Sequence, residues 1–240
     1  MGAEEIRSKE DVLAMLDALL QERSSFSWDR FYSDRERKVP FFIDLPDESL
    51  VQAVESGWIK PGKVLELGCG PGRNALYLAE NGFDVHAVDL SEEAIAWAKQ
   101  RALERGVQVR FERLNLLELS EQGRDCDLVY DSGCFHHIAP HRRMDYCRIV
   151  DEALRPGGCF ALTCFKENGA LGGSARSDWE VYRQMSLGGG IGFTASKLGR
   201  HFPDYERIEC REMKDCGPES GCFGSSELLA AWFRKPQGSG

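Results

Sequence analysis

No apolar run in the 240 residues approaches the roughly 20 needed to span a bilayer, so no membrane partner is expected. The nine cysteines contain no C-x-x-C pair, and no histidine stands at zinc-ligand distance from the trio Cys210, Cys216 and Cys222. Cys210, Cys216 and Cys222 do recur at even spacing, a pattern that a soft metal or arsenic could use. Even spacing alone is a weak signal, and no metal is expected. A basic stripe is also missing. The net charge is −9, and the nearest approach to a cluster, Arg35, Arg37 and Lys38, is interleaved with Asp34 and Glu36. That reads as a solvated mixed-charge face and counts against a nucleic-acid partner. Met1-Gly2-Ala3-Glu4-Glu5 lacks the positive region and apolar core of a signal peptide. An odd cysteine count without such a signal points to a reducing, cytoplasmic setting. Internal repeats are absent as well.

What is present is a core. Hydrophobic residues make up 42% of the chain, enough for one large α/β domain over residues 1–240 without a staple. Residues 1–57 read as an N-terminal helical and lid segment. Ser8 caps a helix with Val12, Leu13, Leu16, Leu19 and Leu20 at helical spacing. An aromatic and charged stretch, Phe26 to Phe42, follows, and a second helix is expected from Asp47 to about Gly57. Beyond Lys60-Pro61-Gly62 the pattern becomes strand, helix, strand. Strands are expected at Val64–Leu67, Val85–Val88, Val107–Phe111, Asp127–Tyr130 and Cys159–Phe165. Helices are expected at Asn74–Asn81, after Ser91, and from Arg142 to Leu154.

Short apolar strands alternating with helices predict a doubly wound, mostly parallel, Rossmann-like sheet. The glycine-rich stretch 166–193 reads as an insertion over the active site. Arg207–Met213 and Leu228–Arg234 should close the sheet as an antiparallel hairpin, bringing it to seven strands; the Gly-Ser-Gly end is expected to be frayed.

The densest chemical signal is Glu66-Leu67-Gly68-Cys69-Gly70-Pro71-Gly72, between a strand and a helix, with Asp89 at the tip of the next strand. Glycines let the backbone approach a ligand where a Cβ would intrude. An acid about 20 residues on can accept from both hydroxyls of an adenosine ribose. The third glycine comes one residue early for a dinucleotide loop. Glu66 would repel a pyrophosphate but welcome an ammonium. Together these favour a cofactor with a cationic amino-acid end and no phosphate, such as S-adenosylmethionine.

Glu66 to Gly72 resembles motif I of the class I S-adenosylmethionine-dependent methyltransferases, and Val88-Asp89-Leu90-Ser91 resembles their ribose-binding motif. Leu154-Arg155-Pro156-Gly157-Gly158 is similar to the turn before their fifth strand. The run Gly72 to Ala79 is similar to tellurite-resistance and thiopurine-type members, which methylate small acceptors. The resemblance implies that Gly68 and Gly70 pack on the methionine part, Glu66 faces its ammonium, Asp89 holds the ribose and Leu90 lies on the adenine. Asn115 stands where the family often has an acid. The same resemblance puts Cys69, Gly72, Asn74, Leu116 and Asp131 in the cofactor site. Tyr32 and Trp28, aromatics with polar handles, are the candidates to close over it.

Asp131-Ser132-Gly133-Cys134-Phe135-His136-His137 follows the fourth strand, whose C-terminal end should border the ligand crevice. His136 is therefore the candidate acceptor-side base, while His137 reads as packing or a cap. Alignment alone can supply most of the rate in a methyl displacement, so no base is required. Trp28, His136, Phe165, Trp179 and Tyr182 are the expected acceptor pocket. The expected activity is methyl transfer to a small molecule, with S-adenosyl-L-homocysteine as product. The alternatives are an RNA or protein methyltransferase and a catalytically inactive cofactor binder.

Overall fold

The computed structural model describes residues 5–24, 26–119, 125–217 and 219–238. Residues 1–4, on which most of the signal-peptide reading rested, and 239–240, most of the frayed end, lie outside them.

Three helices precede the sheet: α1 (Lys9–Glu22), α2 (Trp28–Ser33) and α3 (Glu48–Glu55). Then come β1 (Lys63–Leu67), α4 (Arg73–Glu80), β2 (Asp84–Asp89), α5 (Glu92–Arg105) and β3 (Arg110–Arg113). The second half holds β4 (Cys126–Ser132), α6 (Arg143–Ala153), β5 (Leu154–Phe165), α7 (Asp178–Gln184), α8 (Ala195–His201), β6 (Glu206–Glu212) and β7 (Leu228–Arg234). The seven strands lie in the order β3-β2-β1-β4-β5-β7-β6. β1 to β5 pair in parallel, whereas β7 runs antiparallel to β5 and to β6. This is the expected Rossmann-like sheet, and the closing pair has an added feature: β7 is inserted beside β5 and leaves β6 at the edge.

Both faces of the sheet are covered, and the period-2 alternation of each strand divides its residues between two cores. Val64, Val85, Ala87 and Leu128 pack against Leu50 of α3, Leu76 of α4 and Ile95 and Ala98 of α5. Leu65, Leu67, Val129 and Phe160 turn to the other face, against Tyr146, Ile149 and Val150 of α6 and Leu198 of α8. Burying these strands on both faces is what makes them read as continuous apolar runs.

α1 forms for local reasons, since Ser8 and Asp11 make a capping box. None of its residues is fully buried. Leu20 packs on the core, and polar contacts fasten the helix: Asp17 meets His141 Nε2 at 2.8 Å and Arg142 Nη2 at 2.7 Å, and Glu10 meets Arg142 at 2.9 Å.

Several expected boundaries moved. β3 starts at Arg110 rather than Val107, because Val107 and Val109 pack against the core beside the end of α5. β5 starts at Leu154, and Pro156-Gly157-Gly158 is carried inside it beside an irregularity in the pairing with β4. α8 was not foreseen. Its only buried side chain is Leu198, too sparse a pattern to register as a helix.

Candidate active site

The glycine loop leaves β1 and is fastened to β2 from below. Cys69 N–H donates to Val88 O at 3.0 Å and Gly70 N–H to Asp89 Oδ2 at 2.8 Å. The other Asp89 oxygen accepts Ser91 N–H at 2.8 Å. Each carboxylate oxygen has two lone pairs, so Asp89 keeps acceptor capacity toward a ligand. Gly68 and Gly70 both have positive φ. A Cβ at Gly68 would stand 2.6 Å from that of Cys134, and one at Gly70 would stand 3.0 Å from Tyr32 Oη. Both positions therefore require glycine for close approach as well as for backbone conformation.

Ser91 links this loop to the N-terminal segment. Its Oγ caps α5 and donates to Asp29 Oδ1 of α2 at 2.7 Å. Around that bond Tyr32, Phe42 and Ala94 form a small buried cluster with Trp28, Phe31 and Trp97.

Two pockets open over the C-terminal strand ends. The first, of about 210 Å3, is lined by Val88, Asp89, Leu90, Leu114 to Leu117, Cys134 and Ile138. The second, of about 90 Å3, is lined by Phe41, Arg73, Ser132, His136, Thr163, Cys164, Phe165, Phe223 and Leu228. Trp28, Tyr32, Gly68, Gly133 and His137 belong to both. The two spaces thus meet at one seam.

Charge around the seam is tightly managed. Glu66 is buried and its Oε2 has no hydrogen-bond partner. Burial pushes its carboxyl up to about 8, against the pull of nearby Arg73. Asp47, fully buried, accepts from Arg73 Nη2 at 2.6 Å, Tyr130 Oη at 2.7 Å and Ser132 Oγ at 2.6 Å. The Arg73 guanidinium on the second pocket is therefore already neutralised. Both histidines are neutral for want of solvent. Burial pushes His137 down to about 4 and His136 well below its usual range. His136 Nδ1 accepts Phe165 N–H at 3.2 Å, and the two rings stack at 3.8 Å. The His137 backbone N–H donates to Cys134 O at 2.9 Å, but among the described residues nothing hydrogen-bonds its ring, which meets Trp28 edge-on at 4.9 Å.

Residues 64–158 match the family model described as a methyltransferase domain. An uncharacterized methyltransferase of Schizosaccharomyces pombe is 32% identical over 124 residues, 52% of this chain and 83% of that protein. The chain belongs to the class I S-adenosylmethionine-dependent methyltransferases. The 2-heptyl-1-hydroxyquinolin-4(1H)-one methyltransferase of Mycobacteroides abscessus is 31% identical over 127 residues, 52% of this chain and 56% of that protein. A ribosomal RNA small subunit methyltransferase C of Alcanivorax borkumensis is 34% identical over 129 residues, but only 39% of its length is covered. Among solved structures, a chain reported under the conversion of a disulfide bond into a thioacetal group during echinomycin biosynthesis superposes with a TM-score of 0.68. It is 25% identical, with 88% of this chain and 91% of that one covered.

The cofactor of this methyltransferase is S-adenosylmethionine, and the first pocket suits it. An orphaned Glu66 oxygen lies at the base of a loop that Cβ atoms would fill. Of the residues expected to bind it, Tyr32, Gly68, Asp89, Leu90, Asn115 and Leu116 line this pocket. Glu66, Cys69, Gly70, Gly72 and Asn74 lie in or under the loop without lining it. Asn74 Oδ1 accepts Asp47 N–H at 2.8 Å. Asp131 stands further back, where its carboxylate accepts from Tyr146 Oη at 2.5 Å and from the amides of Cys134 and Phe135. Those bonds shape the turn after β4. Burial pushes the Asp131 carboxyl up to about 7.

In the second pocket Trp28, His136 and Phe165 come together as expected, but Trp179 and Tyr182 are not among its lining residues. Trp179 is 75% exposed on α7, and Tyr182 Oη is bound to His141 Nδ1 at 2.6 Å on the α1 side. The insertion instead supplies backbone: Ile191 N–H bonds His136 O, and Phe193 N–H bonds Phe165 O. The sequence does not single out Asp47 or Phe223 as site residues. Asp47 is separated from its partners by 26 residues or more, and nothing local marks Phe223 as a pocket wall.

Proposed function

We propose that this methyltransferase acts on a small, flat, largely apolar acceptor seated in the second pocket. The observation that carries the reading is the shared seam: five residues line both pockets, and the outer one is walled by aromatic side chains with its single cation already paired. Such a wall suits an aromatic or heteroaromatic body. The hydroxyquinolinone named for one relative is of that kind. The ribosomal RNA relative is the contrary precedent, but a charge of −9 disfavours a polyanion here.

S-adenosylmethionine, when bound, supplies a methyl group on a sulfonium already activated for displacement. The chain's own part is then to hold, align and keep dry. Asp89 holds the ribose hydroxyls, and Glu66 receives the ammonium directly or through water. Trp28 and Tyr32, on the docked N-terminal segment, close the seam. His137 is our candidate for the acceptor side in place of His136, because His136 Nδ1 is spent on Phe165 N–H. A neutral His137 presents a lone pair that orients the acceptor O–H or N–H and takes its proton as the new bond to carbon forms. Proximity carries most of the rate, on the order of 7–11 kcal/mol in well-oriented models.

Incubation with methyl-labelled cofactor and, separately, a metabolite extract, total RNA and total protein tests this. Label confined to the low-molecular-weight fraction is expected. Robust labelling of RNA or protein overturns it.

A further inference from the structure

Away from both pockets, two thiols meet. Cys216 and Cys222 lie on the loop between β6 and β7, and their Sγ atoms are 3.2 Å apart. A disulfide bond is about 2.05 Å long, so little more than an ångström separates the pair from bonding. The loop is closed by its own hydrogen bonds. Cys216 N–H donates to Gly224 O at 3.1 Å, and Ser220 Oγ lies 2.6 Å from Gly217 O and 3.1 Å from Cys222 O. Both thiols are partly exposed, whereas Cys69, Cys126 and Cys164 are buried. No group of three or more metal-type ligands gathers anywhere among the described residues, so the pair is better suited to bonding with itself than to holding an ion.

The residue after Cys222 gives the pair a consequence. Phe223 walls the second pocket and lies under the Arg73 guanidinium at 4.8 Å. Its N–H donates to Pro46 O at 2.7 Å and its carbonyl accepts Glu48 N–H at 2.8 Å. Between those contacts sits Asp47, which anchors Arg73 and Ser132. Whatever stiffens the 216–222 loop therefore stiffens one wall of that pocket.

We propose that Cys216 and Cys222 are a site of reversible intramolecular disulfide formation, and that the bond locks the loop behind Phe223. The oxidant is a small-molecule disulfide of the glutathione type. One thiolate attacks a glutathione sulfur, forms a mixed disulfide and releases one glutathione thiolate, which takes up a proton. The second cysteine gives up its proton, attacks the protein sulfur of that mixed disulfide and releases the second glutathione. Two electrons pass from the protein pair, and oxidised glutathione becomes two thiols. Burial, with the neighbouring Cys222 thiol, pushes Cys216 up to about 11.

The test uses the full chain equilibrated in glutathione buffers of rising oxidised fraction, acid-quenched, alkylated and digested with trypsin. Cys216 and Cys222 fall on one peptide, residues 215–234. We expect that peptide to lose two hydrogens and escape alkylation while the remaining cysteines stay alkylated, and to revert on addition of dithiothreitol. Amide exchange at Glu48 and Phe223 should slow in the oxidised form. Cys216→Ser, checked for folding by circular dichroism, should stop at a glutathione adduct on Cys222 with no slowing. Full alkylation of both thiols in every buffer, or an adduct that never resolves in the unsubstituted protein, overturns the site. A bond that forms without slowing exchange at Phe223 overturns the lock. None of these readouts depends on the identity of the methyl acceptor.

Discussion

His136 is bound to Phe165 twice, ring on ring at 3.8 Å and through Phe165 N–H into Nδ1 at 3.2 Å. That pairing fixes the His136 tautomer with its proton on Nε2 and turns the residue into a support for the end of β5. In the proposed reading the acceptor-side role therefore falls to His137.

His137→Gln is accordingly expected to lower kcat by on the order of 10² while changing the Kd for adenosylhomocysteine far less. The loss should shrink for acceptors acidic enough to be ionised already, since they have no proton to hand over. A purely structural His137 would lose the same factor with every acceptor. Turnover of an acceptor series, with calorimetry on the cofactor, separates the two.

Asp89→Asn should weaken adenosylhomocysteine binding by about 1.5–3 kcal/mol, the value of a charged hydrogen-bond partner, or roughly 10- to 150-fold. Asp89→Ala should lose more, because Gly70 N–H and Ser91 N–H lose their acceptor as well. Calorimetry on folded variants reads this directly. Unchanged affinity in Asp89→Asn removes the ribose assignment.

Cofactor binding should be linked to proton release through Glu66. Its folded, ligand-free carboxyl titrates at about 8, so at pH 7 it is largely protonated. Meeting an ammonium lowers that value, and the proton leaves. Affinity therefore rises with pH toward about 8, above which the ligand's α-ammonium itself deprotonates and affinity falls. Calorimetry at pH 7 in buffers of different ionisation enthalpy should show net release of up to one proton. In the free protein the sign is the reverse for stability. A raised acid pKa favours the fold below the unfolded value of 4.5, and that stability is lost as pH rises through about 8. Glu66→Gln should then raise the melting temperature above pH 8 while weakening the cofactor and abolishing the proton release.

Asp47→Ala leaves the Arg73 guanidinium buried without its partner and should destabilise the protein by about 3–5 kcal/mol. Asp47→Ala combined with Arg73→Met should recover part of that loss, since the double change removes the uncompensated charge. Chemical denaturation of the three variants measures the coupling. An additive double mutant shows that the pair does not act as a unit.

The strand–glycine loop–helix–strand–acid order from Val64 to Asp89 was legible because its causes lie within a few residues: apolar runs for buried strands, glycines where a Cβ would clash, Ser91 to cap α5. The same locality exposed the parallel sheet and its closing hairpin. Tertiary structure decided the rest. Asp47 meets Tyr130 and Ser132 across more than 80 residues, and Phe223 reaches the second pocket only because its loop pairs with 46–48. The sequence reading favours His136 over His137 for the acceptor side, but nothing local to the chain decides between them. His136 and His137 are adjacent and of one type, and it is the approach of Phe165 from β5 that occupies one ring and leaves the other facing the seam. Trp179 and Tyr182 were drawn into the pocket by their aromatic character, whereas α7 projects one to solvent and gives the other to His141. Composition carries no information about which side of a helix meets which wall; that is settled when distant segments pack and only one arrangement leaves their polar atoms bonded.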